Sequence, residues 1–152
     1  MDMTKKEAIT DFLSRKKFAI YGVSRNNRKF GNAILKDLRK KGYELKPVHP
    51  ECDNLENEKC YKNLRDIPSQ VDGVILSIKP EEVKKVVNDI YAAGIKRVWM
   101  QQGSESKEAI EYCIQNGINV ISGECILMFA EPMVFFHRAH KWIWGVIGKL
   151  PK

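Results

Sequence analysis

Apolar positions recur along this chain at two periods, and the change from one to the other marks its elements. Residues 4–16 place Ala8, Ile9, Phe12 and Leu13 on one face at helical spacing, which predicts an amphipathic helix. "KFAIYGV" predicts an apolar strand ending at Gly22. "GNAILKDLRKKG" sets Ile34, Leu35 and Leu38 among charged positions, a second helix with Gly42 as its C-terminal stop. "YELKPVHP" reads as a strand halted by Pro50. The polar stretch that follows, "ECDNLENEKCYKNLRDIPSQV", leaves room for one short strand at 59–61. "DGVILSI" is the third main strand. A helix then starts at Lys79-Pro80, runs through Val83, Val86, Val87, Ile90 and Tyr91, and stops at Gly94. "KRVWMQQG", "SKEAIEYCIQNG" and "INVISG" supply the fourth strand, its helix and the fifth strand.

The strands read as continuous apolar runs rather than as alternations, the pattern expected when helices cover both faces of a sheet. Strand and helix alternate with short loops. Together these features predict a Rossmann-like, doubly wound α/β fold: a mostly parallel five-stranded sheet, helices on both faces, three layers. Residues 1–152 read as one domain, with 132–150 as a C-terminal aromatic and basic helix. In such a sheet ligands bind beyond the carboxyl ends of the strands, so the turns there are the candidate sites. They are Gly22-Val23-Ser24, His49-Pro50, Ser77-Ile78-Lys79-Pro80, Gln101-Gln102-Gly103 and Ser122-Gly123-Glu124.

The first of these turns departs from a dinucleotide fingerprint. That motif needs Gly-x-Gly-x-x-Gly so that backbone can approach a pyrophosphate at a helix N-terminus. Here Gly22-Val23-Ser24 is followed by no glycine until Gly31, and the longer loop carries Arg25, Asn26, Asn27, Arg28 and Lys29. A Ser24 hydroxyl and basic side chains can make charge-assisted bonds to phosphate oxygens. Free N–H groups near Gly31 and Asn32, where the helix begins, add to the anion site. A second feature concerns the end of the second strand, where NAD-binding proteins place an acid on the ribose hydroxyls. This strand ends Val48-His49-Pro50, and its first acid, Glu51, comes after the proline, which disfavours NAD. Lys79, a cation at a helix start, opposes the macrodipole and favours an anionic ligand nearby.

The stretches "AIYGVSRNNRKFGNAILKDLRKKGYELKPVHPE", "EKCYKNLRDIP", "DGVILSIKPEEV" and "VWMQQGSES" carry a resemblance that runs from about residue 16 to residue 127. Together they resemble the small, single-domain coenzyme A-binding proteins, which are similar to the nucleotide-binding domain of succinyl-CoA synthetase. The resemblance implies coenzyme A or an acyl-CoA as ligand. It implies that Gly22, Val23 and Ser24 wrap the diphosphate, with Arg25, Lys29, Phe30 and Gly31 adjoining. It further implies that Val48, His49 and Pro50 lie against the adenosine end. Ser77, Ile78 and Lys79 would face the pantetheine or phosphates, with Gln101 and Gly103 lining the far side. One departure is His49, where related sequences often carry Asn before the proline.

Composition narrows the function further. The 152 residues are 43% hydrophobic and 30% charged, ordinary values for a globular protein. No apolar run reaches the roughly 18 residues that span a bilayer, and the charged N-terminus lacks a signal-peptide core, so a cytoplasmic setting is expected. A net charge of +7 suits an anionic partner, nucleic acid or a phosphorylated small molecule. No nucleic-acid-binding signature accompanies it, and none is expected as a partner. Cys52, Cys60, Cys113 and Cys125 form no CxxC pair; they read as free thiols, and no metal site is assigned. Cys125, just after the fifth strand, could approach the ligand edge and form a mixed disulfide with the coenzyme if its pKa were lowered.

No catalytic residue is assigned. Ser24 and His49 could meet across neighbouring strand tips, but adjacency of a serine and a histidine is weak support for a nucleophile and its base. No P-loop is present, nor the separate domain that carries the phosphorylated histidine of succinyl-CoA synthetase. Binding without catalysis is the expectation. An NAD(P)- or CoA-dependent enzyme, and a scaffold docking through 132–150, are the alternatives. Phe135, Ala139, Trp142 and Val146 form a helical stripe in that tail. Three readings of it stay open: closing the core or packing on a second copy, lying on an anionic membrane surface, or binding metal through His137 and His140. The last pair, with no third ligand, would hold metal weakly.

Overall fold

The computed structural model describes residues 4–25, 29–51, 54–55 and 58–131. Arg28, Cys52 and the whole 132–150 segment, with Phe135, His137, His140 and Trp142, lie outside them. The chain runs α1 (Lys5–Leu13), β1 (Lys17–Tyr21), α2 (Phe30–Lys40) and β2 (Glu44–Val48). A two-stranded antiparallel ribbon follows, β3 (Asn54–Leu55) with β4 (Glu58–Lys59), and a short 3-10 turn at Leu64–Asp66. Then come β5 (Gly73–Leu76), α3 (Pro80–Ala92), β6 (Arg97–Gln101), α4 (Lys107–Gln115), β7 (Asn119–Glu124) and a second 3-10 turn at Ile126–Met128. The five main strands pair in the order β2-β1-β5-β6-β7, every pair parallel. The doubly wound sheet expected from the apolar runs is therefore the observed one.

Each strand divides its side chains between two cores because successive residues point to opposite faces. Phe18, Ile20, Ile75, Trp99 and Ile121 face α1 and α2, while Ala19, Val74, Leu76, Val98 and Met100 face α3 and α4. Every residue of β5 is buried, as a central strand covered on both sides must be. The edge strands β2 and β7 are buried only in part, which is why "ELKPV" and "NVISGE" tolerate polar residues. Pro47 sits on the edge strand β2, where a missing N–H is least disruptive. The short strand expected at 59–61 is split. Lys59 ends the antiparallel ribbon, whereas Tyr61 makes an isolated parallel bridge to Val48. Two backbone bonds fix it there: Tyr61 N–H to Pro47 C=O at 2.9 Å, and His49 N–H to Tyr61 C=O at 2.8 Å.

The first helix begins at a capping box, with Glu7 N–H donating to Thr4 Oγ1 at 3.2 Å and Thr4 N–H to Glu7 Oε2 at 3.1 Å. It stops at Leu13, three residues before the expected end, because Arg15 to Lys17 turn into β1. Phe12 stacks on Phe18 at 4.6 Å between ring centroids and meets Trp99 edge-on at 5.4 Å. Gly73 makes room for it, since a Cβ there would come within 2.9 Å of the Phe12 ring. Among the described residues no helix is long and apolar enough to cross a membrane. Cys60, Cys113 and Cys125 are free thiols, as expected; burial pushes Cys113 up to about 11.

Asp11 ties α1 to the amino-terminal edge of the sheet, accepting from Arg97 Nε at 2.7 Å and from Arg15 at 2.9 Å. Burial alone would raise its pKa. The hydrogen bonds and charges of Arg97 and Arg15 outweigh that, and the carboxyl lies below its ordinary 3.8. A group whose folded pKa is depressed stabilises fully above the unfolded pKa and loses that contribution as pH falls through the folded value. Asp11→Asn is therefore expected to cost about 1–2 kcal/mol at neutral pH, the range for a half-buried charge-assisted pair discounted for screening. The difference from wild type should narrow as pH falls below about 4 toward the lower folded value, which urea unfolding at pH 7 and pH 3 measures.

Candidate functional site

The winding of the sheet reverses between β1 and β5. From β1 the chain crosses through α2, on one face, to β2 at the edge; from β5 it crosses through α3, on the other face, to β6. Their carboxyl ends therefore lead away from each other, and a crevice at that point is what an open parallel sheet offers a ligand. A cleft of about 540 Å³ lies there. Tyr21, Gly22 and Val23 border it from the tip of β1, and Val48, His49 and Pro50 from the tip of β2. Lys62 and Asn63 adjoin β2 through the Tyr61 bridge, and Glu82, Lys85, Val86 and Asp89 close it from α3.

Two glycines give the loop between β1 and α2 its shape. Gly22 has φ +110°, and a Cβ on it would overlap the Ser77 carbonyl at the end of β5. Gly31, in the first turn of α2, lies against Gly22 in turn; a Cβ on Gly31 would run into the Gly22 carbonyl and reach within 3.1 Å of Val23 N. The late glycine of the loop thus takes the helix-to-strand packing role that the third glycine has in a dinucleotide fingerprint. Between them Asn32, only 3% exposed, closes the loop. Its Oδ1 accepts from Ser24 N–H at 2.9 Å and from Ser24 Oγ at 3.1 Å, and its Nδ2 donates to Ser24 C=O at 3.0 Å.

Seven of the fifteen expected ligand residues border the cleft: Gly22, Val23, Lys29, Val48, His49, Pro50 and Ile78. Gly31 and Ser77 lie behind its wall and shape it through the contacts with Gly22. Ser24 is held by Asn32, so the hydroxyl proton expected to meet a phosphate points to the amide oxygen. Arg25 is exposed, and Phe30 is half-exposed. The Asn32 N–H, expected to be free, donates to Lys29 C=O at 3.0 Å. Lys29 holds the cap position of α2 without a side-chain cap bond. Lys79 is exposed at the cap of α3, where its N–H donates to Glu82 Oε2 at 3.3 Å.

The far side is different. Gln101 is 2% exposed and accepts from Ile126 N–H at 3.0 Å, so its side chain braces the chain after β7. Gly103 is exposed, and its N–H donates to the Glu105 carboxylate at 3.0 Å. The same carboxylate accepts from Gly123 N–H at 3.2 Å, bridging the tips of β6 and β7. Ser104 accepts from Ile78 N–H at 3.1 Å, bridging β5 and β6. Neither Gln101 nor Gly103 borders the cleft.

Glu51 does border the cleft, which corrects the expectation that no acid stands at the tip of β2. The turn after Pro50 brings it back, with Glu51 N–H donating to His49 Nδ1 at 3.1 Å. That bond leaves the proton of a neutral imidazole on Nε2, as a donor. Across the cleft, burial and the charge of Asp89 raise the Tyr21 hydroxyl well above its ordinary value, so it stays protonated. Sequence reading missed the α3 wall. A signal was present: Glu82, Lys85, Val86 and Asp89 follow i, i+3, i+4, i+7 beside the core stripe of Val83, Val87 and Ile90. For Lys62 and Asn63, in an aperiodic polar stretch, there was none.

The family model described as CoA binding domain matches residues 16–131. An uncharacterized Bacillus subtilis protein, YneT, is 28% identical over 127 residues, covering 83% of this chain and 94% of its own. The acetate–CoA ligase [ADP-forming] II subunit alpha of Pyrococcus furiosus is 25% identical over 126 residues, which is 76% of this chain but 28% of that subunit. Among solved structures, a conserved hypothetical protein from Pyrococcus furiosus superposes with TM-score 0.70 at 38% identity, covering 74% of this chain and 97% of its own. The apo acetyl-coenzyme A synthetase 1 of Ca. Korarchaeum cryptofilum does so with TM-score 0.65 at 26% identity, over 74% of this chain and 27% of that one. The match takes in β1 to β7 and the whole described cleft, and this chain belongs to the CoA binding domain family.

Proposed function

We propose that the protein binds coenzyme A or an acyl-CoA in the cleft between the tips of β1 and β2, and that it performs no chemistry of its own. The observation that carries this reading is the interlocked Gly22–Gly31 contact at the switch point, which packs the first turn of α2 against the tip of β1 beside the cleft, the arrangement in which a helix N-terminus meets a diphosphate. Arg25 and Lys29 flank that loop as exposed cations able to make charge-assisted bonds to phosphate. The tip of β2 takes the adenosine end, with His49 Nε2–H as donor. Ser77, Ile78 and Lys79 lead the pantetheine arm toward the tips of β6 and β7, near Gln101 and Gly103.

Binding without catalysis accords with how the two candidate reactive side chains are used. The Ser24 hydroxyl donates to the Asn32 side chain, and His49 Nδ1 accepts from the Glu51 amide, so each serves the order of its own loop. The ligase relatives place a domain like this one in a much longer chain, and their reaction belongs to those whole proteins. Free thiols at Cys60, Cys113 and Cys125 suit a cytoplasmic setting.

Isothermal titration with coenzyme A, NAD and NADP tests the reading. Coenzyme A is expected to bind tightest, and NAD binding more tightly than coenzyme A would overturn it. Arg25→Ala with Lys29→Ala is expected to weaken coenzyme A binding by about tenfold, or ~1.4 kcal/mol, and to reduce its salt dependence. Asn32→Ala removes a buried amide that makes three hydrogen bonds to Ser24. It should cost about 1–3 kcal/mol of stability and more affinity than Ser24→Ala, which leaves the amide-to-Asn32 bond in place. Thermal unfolding and titration of both variants would expose equal effects, which would place the loop's order elsewhere.

A further inference from the structure

We propose that Lys62 and Lys85 form a subsite for the phosphate on the ribose 3′ position, so that the cleft distinguishes coenzyme A from its dephosphorylated form. The inference rests on the reading that the cleft takes coenzyme A, and it assigns a part of the ligand that the Gly22 loop does not reach. In a doubly wound sheet the tip of the second strand contacts the ribose, and its neighbouring charges decide whether hydroxyls or a phosphate are accepted there. An acid selects hydroxyls; a cation accommodates a ribose phosphate.

Lys62 is brought to that tip by backbone geometry. Tyr61 bridges Val48 and exchanges hydrogen bonds with Pro47 and His49, so the next residue leaves beside the ribose end and borders the cleft. Lys85 approaches from the opposite wall. Its neighbour Lys84 turns outward and pairs with Glu108 at 2.6 Å, whereas Lys85 borders the cleft and, among the described residues, has no carboxylate partner. Glu51, Glu82 and Asp89 border the same cleft; Glu82 accepts the Lys79 amide, and Glu51 stands exposed on the rim. A phosphate seated between the two lysines meets a cation from each wall, against these carboxylates.

Titration with coenzyme A and with dephospho-coenzyme A tests this directly. The wild-type protein is expected to bind coenzyme A about tenfold more tightly than the dephosphorylated ligand, since charge-assisted contacts to one phosphate are at stake. Lys62→Ala with Lys85→Ala should bring the two affinities together while leaving dephospho-coenzyme A binding unchanged, which also reports that the variant is folded. Lys84→Ala should leave the preference intact. Equal binding of the two ligands by wild type would overturn the subsite and leave the cleft's assignment standing. A preference that survives in the double variant would overturn the role of these lysines. Binding of neither ligand would remove both the subsite and the coenzyme A reading.

Discussion

The cleft depends on the close approach of three backbone segments: the end of β1 at Gly22, the end of β5 at Ser77 and the first turn of α2 at Gly31. No side chain fits between them. A methyl group on either glycine would overlap a neighbouring carbonyl, and the helix would have to move off the strand tip. The helix N-terminus then would no longer be aimed at the switch point, and the partial positive charge of its amides would be misplaced. Asn32 finishes what the glycines begin, because its amide group engages three Ser24 groups and stops the loop from springing open.

Around that contact the molecule divides into a braced side and an open side. At the tips of β5, β6 and β7 the chain satisfies its own backbone groups through Ser104, Glu105 and Gln101. Between β1, β2 and α3 it does not close, and cations, acids and the His49 ring border the same 540 Å³. The asymmetry follows from topology. The helices α3 and α4 follow β5 and β6 and cover that face of the sheet toward β7, while among the described residues the tips of β1 and β2 are flanked by α3, Lys29, Glu51, Ile78 and the turn after Tyr61.

Membership of the CoA binding domain family and the basic loop direct attention to phosphates, but the cleft is not simply basic. Glu51, Glu82 and Asp89 share it with Lys29, Lys62 and Lys85. Discrimination between ligands in such a site comes from where each charge stands and which are already committed to the protein's own groups, more than from net charge.

Much of this was legible in the residues alone. The apolar runs "FAIY", "GVIL" and "RVWM" and the helical stripes determined the parallel sheet and its covering helices, because burial on two faces demands that pattern. The strand ends determined where a ligand edge must lie, and Gly22 with the late Gly31 marked the loop. Only the tertiary structure decided which polar side chains reach that edge. Gln101 turned inward to hold Ile126, Ser24 was claimed by Asn32, and Glu51 swung back past Pro50 into the cleft. Lys62 and Lys85 arrived from elements that no short-range pattern connects to β1. Periodicity reports which face of an element is buried, a local property of one helix or strand. Which exposed groups converge is set by loop paths and by hydrogen bonds between residues distant in the chain.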